Sequence, residues 1–233
     1  MIPRRLPLLL LSLTVLPLLG SCDYFRPLEQ ICEKRLGPTT VKVEAVPVAF
    51  QTDLSLSTEQ LTAKGASSVD LRGGRMVLGL TATTLKTSVT FGTNGITQRF
   101  GGRHCMRPSV NVRLAFEPMT VYVTRAHAKG SCEFDLTMDH EMKHVNTYAR
   151  FLEKIAPEVE AELRDRFGNQ VFYFDSVAQA QQHVERVARE FLGPYVQASM
   201  DKVTPLQAQL DTPEEYFRLD RFHEACASGR SPR

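Results

Sequence analysis

His140-Glu141-Met142-Lys143-His144 is the most informative stretch of this chain. It lies within residues 134–167, whose apolar residues recur at helical spacing: Phe134, Met138, Val145, Tyr148, Leu152, Ile155, Val159 and Leu163. On a helix, two histidines four residues apart project from one face and can share a tetrahedral zinc ion. Glu141 falls on the apolar stripe, where partial desolvation raises the proton affinity of a carboxylate. The pattern predicts a helix that carries two metal ligands and a general base.

The H-E-x-x-H spacing arises by chance in roughly one in a hundred chains of this composition. The alternative interpretation is therefore a surface helix with two solvated histidines. The motif resembles that of the zincin metalloproteases. This resemblance implies that His140 and His144 bind zinc and that Glu141 is the general base. The longer metzincin pattern is absent, because residues 145–150 contain neither glycine nor a third histidine.

A catalytic zinc ion normally has three protein ligands, so a third ligand must come from elsewhere in the chain. Glu158, Glu160 and Glu162 are poor candidates on a continuous helix, because Glu160 would lie about 24 Å from His144 along the axis. A later helix that packs back antiparallel would bring Asp201 and the turn at residues 211–215 within reach. His183 and Glu190 would fall short of the site.

The overall plan is also similar to a bacterial family described as predicted secreted zinc-dependent proteases of unknown function. Members of that family carry a further histidine in a Tyr-Asp…Thr-x-His-Gly segment near the C-terminus, which the resemblance makes a third ligand. The comparable stretch here, residues 210–216, contains no histidine. We therefore expect Glu215 as the third ligand, with Asp211, Asp201 and His223 as the other candidates.

The start of the chain has the form of an export signal. Arg4 and Arg5 precede an apolar run over residues 6–19, which is short for a membrane span. The run ends in Leu19-Gly20-Ser21-Cys22, which resembles the lipobox of bacterial lipoproteins, and a plain signal peptide is the alternative. The resemblance implies that Cys22 is acylated and anchors the protein in the membrane. Asp23 resembles the signal that retains some lipoproteins in the inner membrane, facing the periplasm.

Five cysteines are present, so four remain if Cys22 carries lipid. An even number suits an oxidising compartment, where disulfides persist. Of the three possible pairings, we favour Cys105 with Cys132 and Cys32 with Cys226. A cysteine-rich metal site is improbable, because no C-x-x-C spacing occurs.

Charge indicates no nucleic-acid partner. Of 28 basic residues, Arg4 and Arg5 leave with the signal, and the remaining 26 balance 26 acidic residues. The mature chain is therefore close to neutral and has no basic stripe.

Residues 39–125 are expected to form antiparallel strands. Residues 40–50, 76–91, 110–116 and 119–124 alternate or are rich in β-forming residues. Asn94-Gly95 is the strongest hairpin signal. By analogy with zincins, Val121 to Thr124 is expected to be the edge strand that holds a peptide substrate beside the motif helix.

Residues 131–224 are expected to be mostly helical. Ser131 or Thr137 would cap the first helix, Pro157 would bend or restart it, and a second helix would run from Asp175-Ser176 to about Val203. The complete prediction is an α+β protein whose antiparallel β-rich N-terminal half precedes a helical half with the H-E-x-x-H helix. Its parts are a lipoprotein signal peptide (1–21), a tether (22–38), a single zincin-like domain (39–226) and a tail (227–233).

These features favour a Zn²⁺-dependent hydrolase that cleaves peptide bonds at the bacterial cell envelope, with Glu141 as general base. Tyr148 or Tyr216 would stabilise the oxyanion. The substrate would be a protein or a peptidoglycan cross-link peptide, which the sequence does not distinguish. The alternative is a non-catalytic envelope lipoprotein, a scaffold or assembly factor with a degenerate metal site.

Overall fold

The computed structural model describes residues 26–66, 75–168 and 170–229. The predicted signal peptide, the acylation site Cys22 and the last four residues of the predicted tail lie outside these ranges. The described residues form an α+β fold of one five-stranded sheet and seven α-helices. None of the helices in these three ranges has both the length and the hydropathy of a membrane span.

The sheet is built around one long central strand. In chain order the strands are β1 (Thr40–Ala45), β2 (Gln51–Asp53), β3 (Gly79–Thr97), β4 (His104–Val123) and β5 (Phe172–Phe174). β3 pairs with β4 antiparallel over nearly the whole length of both strands. The opposite side of β4 is occupied in turn by β5, which is antiparallel, and by β1 and β2, which are parallel.

The expectation of an antiparallel sheet is therefore wrong in part, since β1 and β2 run parallel to β4. Alternation of apolar residues reports which face of a strand is buried and carries no information on the direction of its neighbour. The two strands expected at residues 110–116 and 119–124 are parts of the single strand β4, which continues through the cis peptide bond Glu117–Pro118.

The β3–β4 turn lies later than Asn94-Gly95, which are both inside β3 and pair with Arg107 and Met106. Gly101 and Gly102 form the turn instead, with φ angles of +87° and +69° that favour glycine. Gly95 has a packing role, because a Cβ atom there would lie 2.5 Å from the His104 ring.

The helices are α1 (Leu28–Arg35), α2 (Thr58–Gly65), α3 (Cys132–Phe167), α4 (Val177–Val187), α5 (Gly193–Asp201), α6 (Val203–Ala208) and α7 (Pro213–Ala227). Part of the segment expected to be a tether is therefore folded as α1, with Leu28 and Cys32 buried. The second helix begins at its Ser176 cap as expected, but a π-helical turn at Ala188–Leu192 separates α4 from α5.

The long helix α3 covers one face of the sheet. Its N-cap is Ser131, whose side chain accepts a hydrogen bond from the Phe134 N–H, and Gly168 follows its last residue. Pro157 does not restart the helix, because it lies within the continuous 36-residue α3, and buried residues on both sides of it pack in the core. Each fully buried aliphatic side chain there, such as Leu163, contributes about 1.5–3 kcal/mol.

Both predicted disulfide pairings are wrong, although all four described cysteines form disulfides. Cys32 pairs with Cys105, and Cys132 pairs with Cys226. Cys105 is the second residue of β4, at the end of the sheet that contacts α1. Cys132 begins α3, which follows the other end of β4. The length of β4 therefore keeps Cys105 and Cys132 apart.

Candidate metal centre

The H-E-x-x-H motif lies on α3 near its N-terminal end, as the sequence predicts. His140, Glu141 and His144 are all buried, with 6%, 4% and 9% of their surface exposed. The Nε2 atoms of the two histidines lie 3.3 Å apart. The helix therefore directs two imidazole nitrogens at one point, and these residues are not the solvated histidines of the alternative interpretation.

Asp211, in the turn between α6 and α7, completes the group. Its Oδ1 atom lies 3.3 Å from Nε2 of His140 and 3.3 Å from Nε2 of His144. In a tetrahedral zinc site with bonds of about 2.0–2.1 Å, two ligand atoms are about 3.3–3.4 Å apart. The three donor atoms therefore form a triangle of the size that a tetrahedral metal ion requires, and this group could hold such an ion.

The remaining ring nitrogens determine where the protons of the two histidines lie. Nδ1 of His144 is 2.7 Å from the Gln207 side-chain oxygen, and Nδ1 of His140 is 3.4 Å from Glu215 Oε1. Both partners are acceptors, so both Nδ1 atoms act as N–H donors. In the neutral rings the Nε2 atoms then carry lone pairs, which face each other and a carboxylate oxygen. Only a cation, either a metal ion or added protons, satisfies three converging lone pairs.

The electrostatics of the group agree with this requirement. Burial would raise the pKa of Asp211, but hydrogen bonds from the protonated rings of His140 and His144 and from the Tyr216 hydroxyl hold it well below its usual range. Burial would lower the pKa of His144, but the hydrogen bond to Asp211 and the charge of Glu141 outweigh it, so this pKa is raised. The acidic groups therefore stabilise positive charge at the point where the three donors meet.

Glu215, the residue favoured from the sequence as the third ligand, is not in this group. Its carboxylate accepts hydrogen bonds from Nε and Nη2 of Arg218 and from Lys143, which hold its pKa below its usual range. It contacts the outer nitrogen of His140 and therefore orients that ring, as carboxylates often do for ligand histidines.

Asp201 and His223, the other candidates, are also outside the group. Asp201 accepts a hydrogen bond from Gln197 one turn earlier in α5. His223 stacks on His127, with the ring centroids 5.3 Å apart. Glu160 is excluded as the helix geometry predicts, because its carboxylate binds the Val43 backbone N–H on β1.

Glu141 lies beside the donor triangle and against the start of β3. The Thr81 hydroxyl donates a hydrogen bond of 2.8 Å to its Oε2 atom. Burial raises the pKa of Glu141, outweighing the two histidines and this hydrogen bond. Gly79 makes the close approach possible, since a Cβ atom there would lie 2.6 Å from Glu141 Oε1. The carboxyl group is therefore a weak acid held in a fixed position.

A cavity of about 360 Å³ opens beside these residues. Its walls come from residues 75–81, which lead into β3, from α3, and from residues 207–223. The expectation that Val121 to Thr124 form the edge strand is wrong, because Val121 and Val123 are fully buried in the central strand β4. The strand that borders the cavity is β3, which lies at the edge of the sheet.

Three residues of the site were not found from the sequence: Gly79, Thr81 and Gln207. None of them belongs to a motif, and each acts on a motif residue more than 55 positions away. Their roles depend on the fold alone.

Two imidazoles and one carboxylate are a donor set of catalytic zinc sites, and the same set binds iron(II) in oxygenases. The donor atoms thus define a candidate site for a divalent transition metal without selecting zinc. Comparison of the chain with protein-family models, with curated proteins and with solved structures found no match in any of the three.

Proposed function

We propose that this protein is a zinc-dependent hydrolase of peptide bonds at the bacterial cell envelope. The observation that carries the proposal is the convergence of three lone-pair donors, His140 Nε2, His144 Nε2 and Asp211 Oδ1, at mutual distances of 3.3 Å. A buried carboxyl group, that of Glu141, lies beside them and next to a cavity. This combination of a metal site, a general base and an adjacent cavity is what metal-assisted hydrolysis needs.

Zinc held by these three residues would supply a Lewis acid that lowers the pKa of water and polarises a carbonyl group. Glu141 accepts a proton from the attacking water and passes it to the leaving amine. The raised pKa of Glu141 suits both steps, because a general base works best when its pKa is near the working pH. Thr81 keeps Oε2 of Glu141 in place through its hydrogen bond.

The position of β3 supports a peptide as the substrate. Among the described strands β3 pairs only with β4, so the backbone of residues 79–81 can pair with an extended peptide on its other side. A peptide in that position would run along the cavity wall. Zincins bind substrates in this manner, and the assignment to β3 is by analogy.

Tyr216 is the better of the two tyrosines for stabilising the oxyanion. Its hydroxyl donates a hydrogen bond of 2.9 Å to Asp211 Oδ1, which it would exchange for one to the oxyanion, and its ring centroid lies 6.3 Å from that of His140. Burial raises its pKa, so it remains a hydrogen-bond donor at neutral and alkaline pH. Tyr148 also lines the cavity, but its ring packs against Phe116 in the core.

Export and lipid anchoring complete the proposal. The two disulfides are compatible with an oxidising compartment such as the periplasm. The sequence before Asp23 supports acylation of Cys22, with the protein facing the periplasm from the inner membrane. The candidate substrates there are proteins and the peptide cross-links of peptidoglycan. Incorporation of labelled fatty acid into the wild type, and its loss in Cys22→Ala, is the expected result.

The alternative, a non-catalytic scaffold, was suggested by the long helices and by the missing third ligand, and only the second of these reasons concerns the metal site. Asp211 provides a carboxylate at the required distance, which removes that reason.

Metal content tests the proposed site directly. We expect elemental analysis of the mature protein, without a histidine tag, to find one zinc per chain, which is lost in His144→Ala. His183→Ala is the matched control, because His183 contacts Phe172 and Phe174 and lies outside the donor group. Cleavage of unfolded protein or of peptidoglycan peptides should be lost in Glu141→Gln, which retains the metal. No bound metal after incubation with excess zinc would refute the proposal.

A further inference from the structure

One end of the molecule gathers basic residues from two distant parts of the sequence. We call it the hairpin end and define it as residues 26–37, which contain α1, and 98–107, which contain the β3–β4 turn. The Cys32–Cys105 disulfide joins the two segments. Arg103 also donates a hydrogen bond of 2.8 Å to Glu29 in the first turn of α1. The segments therefore form one surface.

The hairpin end is cationic in a chain that is otherwise acidic. It contains six basic residues and two acidic ones, which gives a net charge of +4: Arg26, Lys34, Arg35, Arg99, Arg103 and Arg107 against Glu29 and Glu33. β5 pairs with residues 104–106 at this end and adds no charged residue. The mature chain from Cys22 onward has 26 basic and 26 acidic residues, so the remainder carries −4.

Phe100 lies at the tip of this surface. It is 67% exposed, the largest exposed fraction among the large apolar side chains of the described residues. Arg99 precedes it, and Gly101 and Gly102 follow it in the turn. An exposed aromatic ring on a cationic surface is typical of proteins that enter the headgroup region of a bilayer.

The proposed lipid anchor lies close to the same end. Cys22 precedes Leu28, the first residue of α1, by six residues, and six residues span at most about 20–22 Å. An acylated Cys22 would therefore hold the start of α1 within about that distance of the membrane surface. Because Glu29 contacts Arg103, the β3–β4 turn would be held near the membrane with it.

We infer that the hairpin end is a membrane-binding surface that recognises anionic phospholipid, with Phe100 at the level of the headgroups. The orientation rests on the lipid anchor proposed above for Cys22. The candidate metal centre then faces away from the membrane, since Thr81 contacts Glu141 while Thr97 lies at the turn, sixteen residues along β3. This separation is about 53 Å of strand. The substrates of the candidate metal centre would therefore be peptide chains in the aqueous compartment rather than segments at the bilayer surface.

The test uses the chain from Asp23 onward, secreted so that its disulfides form and lacking the acylated cysteine. The sequence contains no tryptophan, so Phe100→Trp introduces a single fluorescent reporter. Vesicles of phosphatidylcholine with phosphatidylglycerol should shift its emission to shorter wavelength, and vesicles of phosphatidylcholine alone should not. Arg99→Gln in the same background should weaken partition about fivefold, as expected for one cation near an anionic surface.

Phe217→Trp is the matched control. Phe217 is 59% exposed and lies beneath Arg221, but it is on α7, next to the candidate metal centre. Its emission should not respond to either vesicle. No shift at residue 100 even at low salt, or equal shifts at residues 100 and 217, would overturn the inference. Sedimentation of the unsubstituted chain with vesicles checks that the reporter does not create the binding. Neither zinc content nor acylation enters these measurements, so failure of the proposed function would be seen separately.

Discussion

Replacing Asp211 by asparagine preserves the size of the side chain but removes the charge that faces His140 and His144 at 3.3 Å. Structural zinc sites bind with an apparent free energy of about 10–16 kcal/mol at neutral pH, so an equal share for one of three ligands is about 3–5 kcal/mol. We therefore expect Asp211→Asn to weaken zinc binding by about 10²- to 10⁴-fold. Competition with a chromophoric chelator at pH 7.5 measures this change.

Glu215→Gln is the comparison that makes the experiment decisive. Within the donor group, Glu215 contacts only the Nδ1 atom of His140, and loss of such an orienting carboxylate typically costs about 10- to 100-fold in metal affinity. The assigned roles therefore predict the larger loss for Asp211→Asn. Circular dichroism establishes that both variants are folded. Equal zinc affinity in Asp211→Asn and the wild type, or a larger loss in Glu215→Gln, would refute the assignment of Asp211 as the ligand.

Three further outcomes are expected. Gly79→Ala should abolish peptide cleavage yet retain zinc, because the added Cβ atom would displace the general base Glu141. Gly92→Ala is the control, since the nearest atom to its Cβ would be 3.7 Å away, and it should change neither cleavage nor zinc content. Removing either disulfide should lower the free energy of unfolding, measured with denaturant, by up to about 4–5 kcal/mol. Only loss of Cys132–Cys226 should also weaken zinc binding, because that disulfide holds α7 against α3. Burial lowers the pKa values of His127 and His223, so their folded pKa lies below the unfolded value of about 6.5. The contribution of these two histidines to stability is therefore fully present above pH 6.5 and is lost as pH falls below it, so thermal unfolding should occur at lower temperature at pH 5.5 than at pH 7.5. A variant with both histidines replaced by glutamine should show a smaller difference, and an unchanged difference would contradict this reasoning.

The parts of the site that the sequence predicted are those that depend on local geometry. Helical spacing alone directs His140 and His144 to one point, and the rise of a helix excludes Glu160. The estimate that a returning helix brings Asp201 and the turn at residues 211–215 within reach of His144 is confirmed for Asp211, which contacts that residue. It is wrong for Asp201, which contacts Gln197 instead.

The choice between Asp211 and Glu215 depended on tertiary structure. Thr212 caps α7, so Asp211 lies before the helix and reaches the Nε2 atoms. Glu215 lies in the first turn and reaches the Nδ1 atom on the far side of His140. A difference of one helical turn decides which carboxylate faces the donor pair, and nothing in the sequence specifies it.

The errors in the fold have a similar origin. The disulfide pairings and the parallel direction of β1 are set by contacts between residues far apart in sequence. In contrast, α2 was missed although a local signal exists. Ser57 and Gln60 form a capping box, and the surrounding β-like composition obscured it.

Two restraints hold α7 in place, and different chemical treatments remove them. Only Leu219 and Cys226 of this helix are buried, so apolar packing alone holds it weakly. Its C-terminal end is fixed by a covalent bond to Cys132, and Asp211, two residues before its N-terminal end, would be fixed by the metal. A reductant acts on the first restraint and a chelator or acid acts on the second, so neither treatment alone frees both ends. Proteases should therefore cut within α7 rapidly only when both treatments are combined.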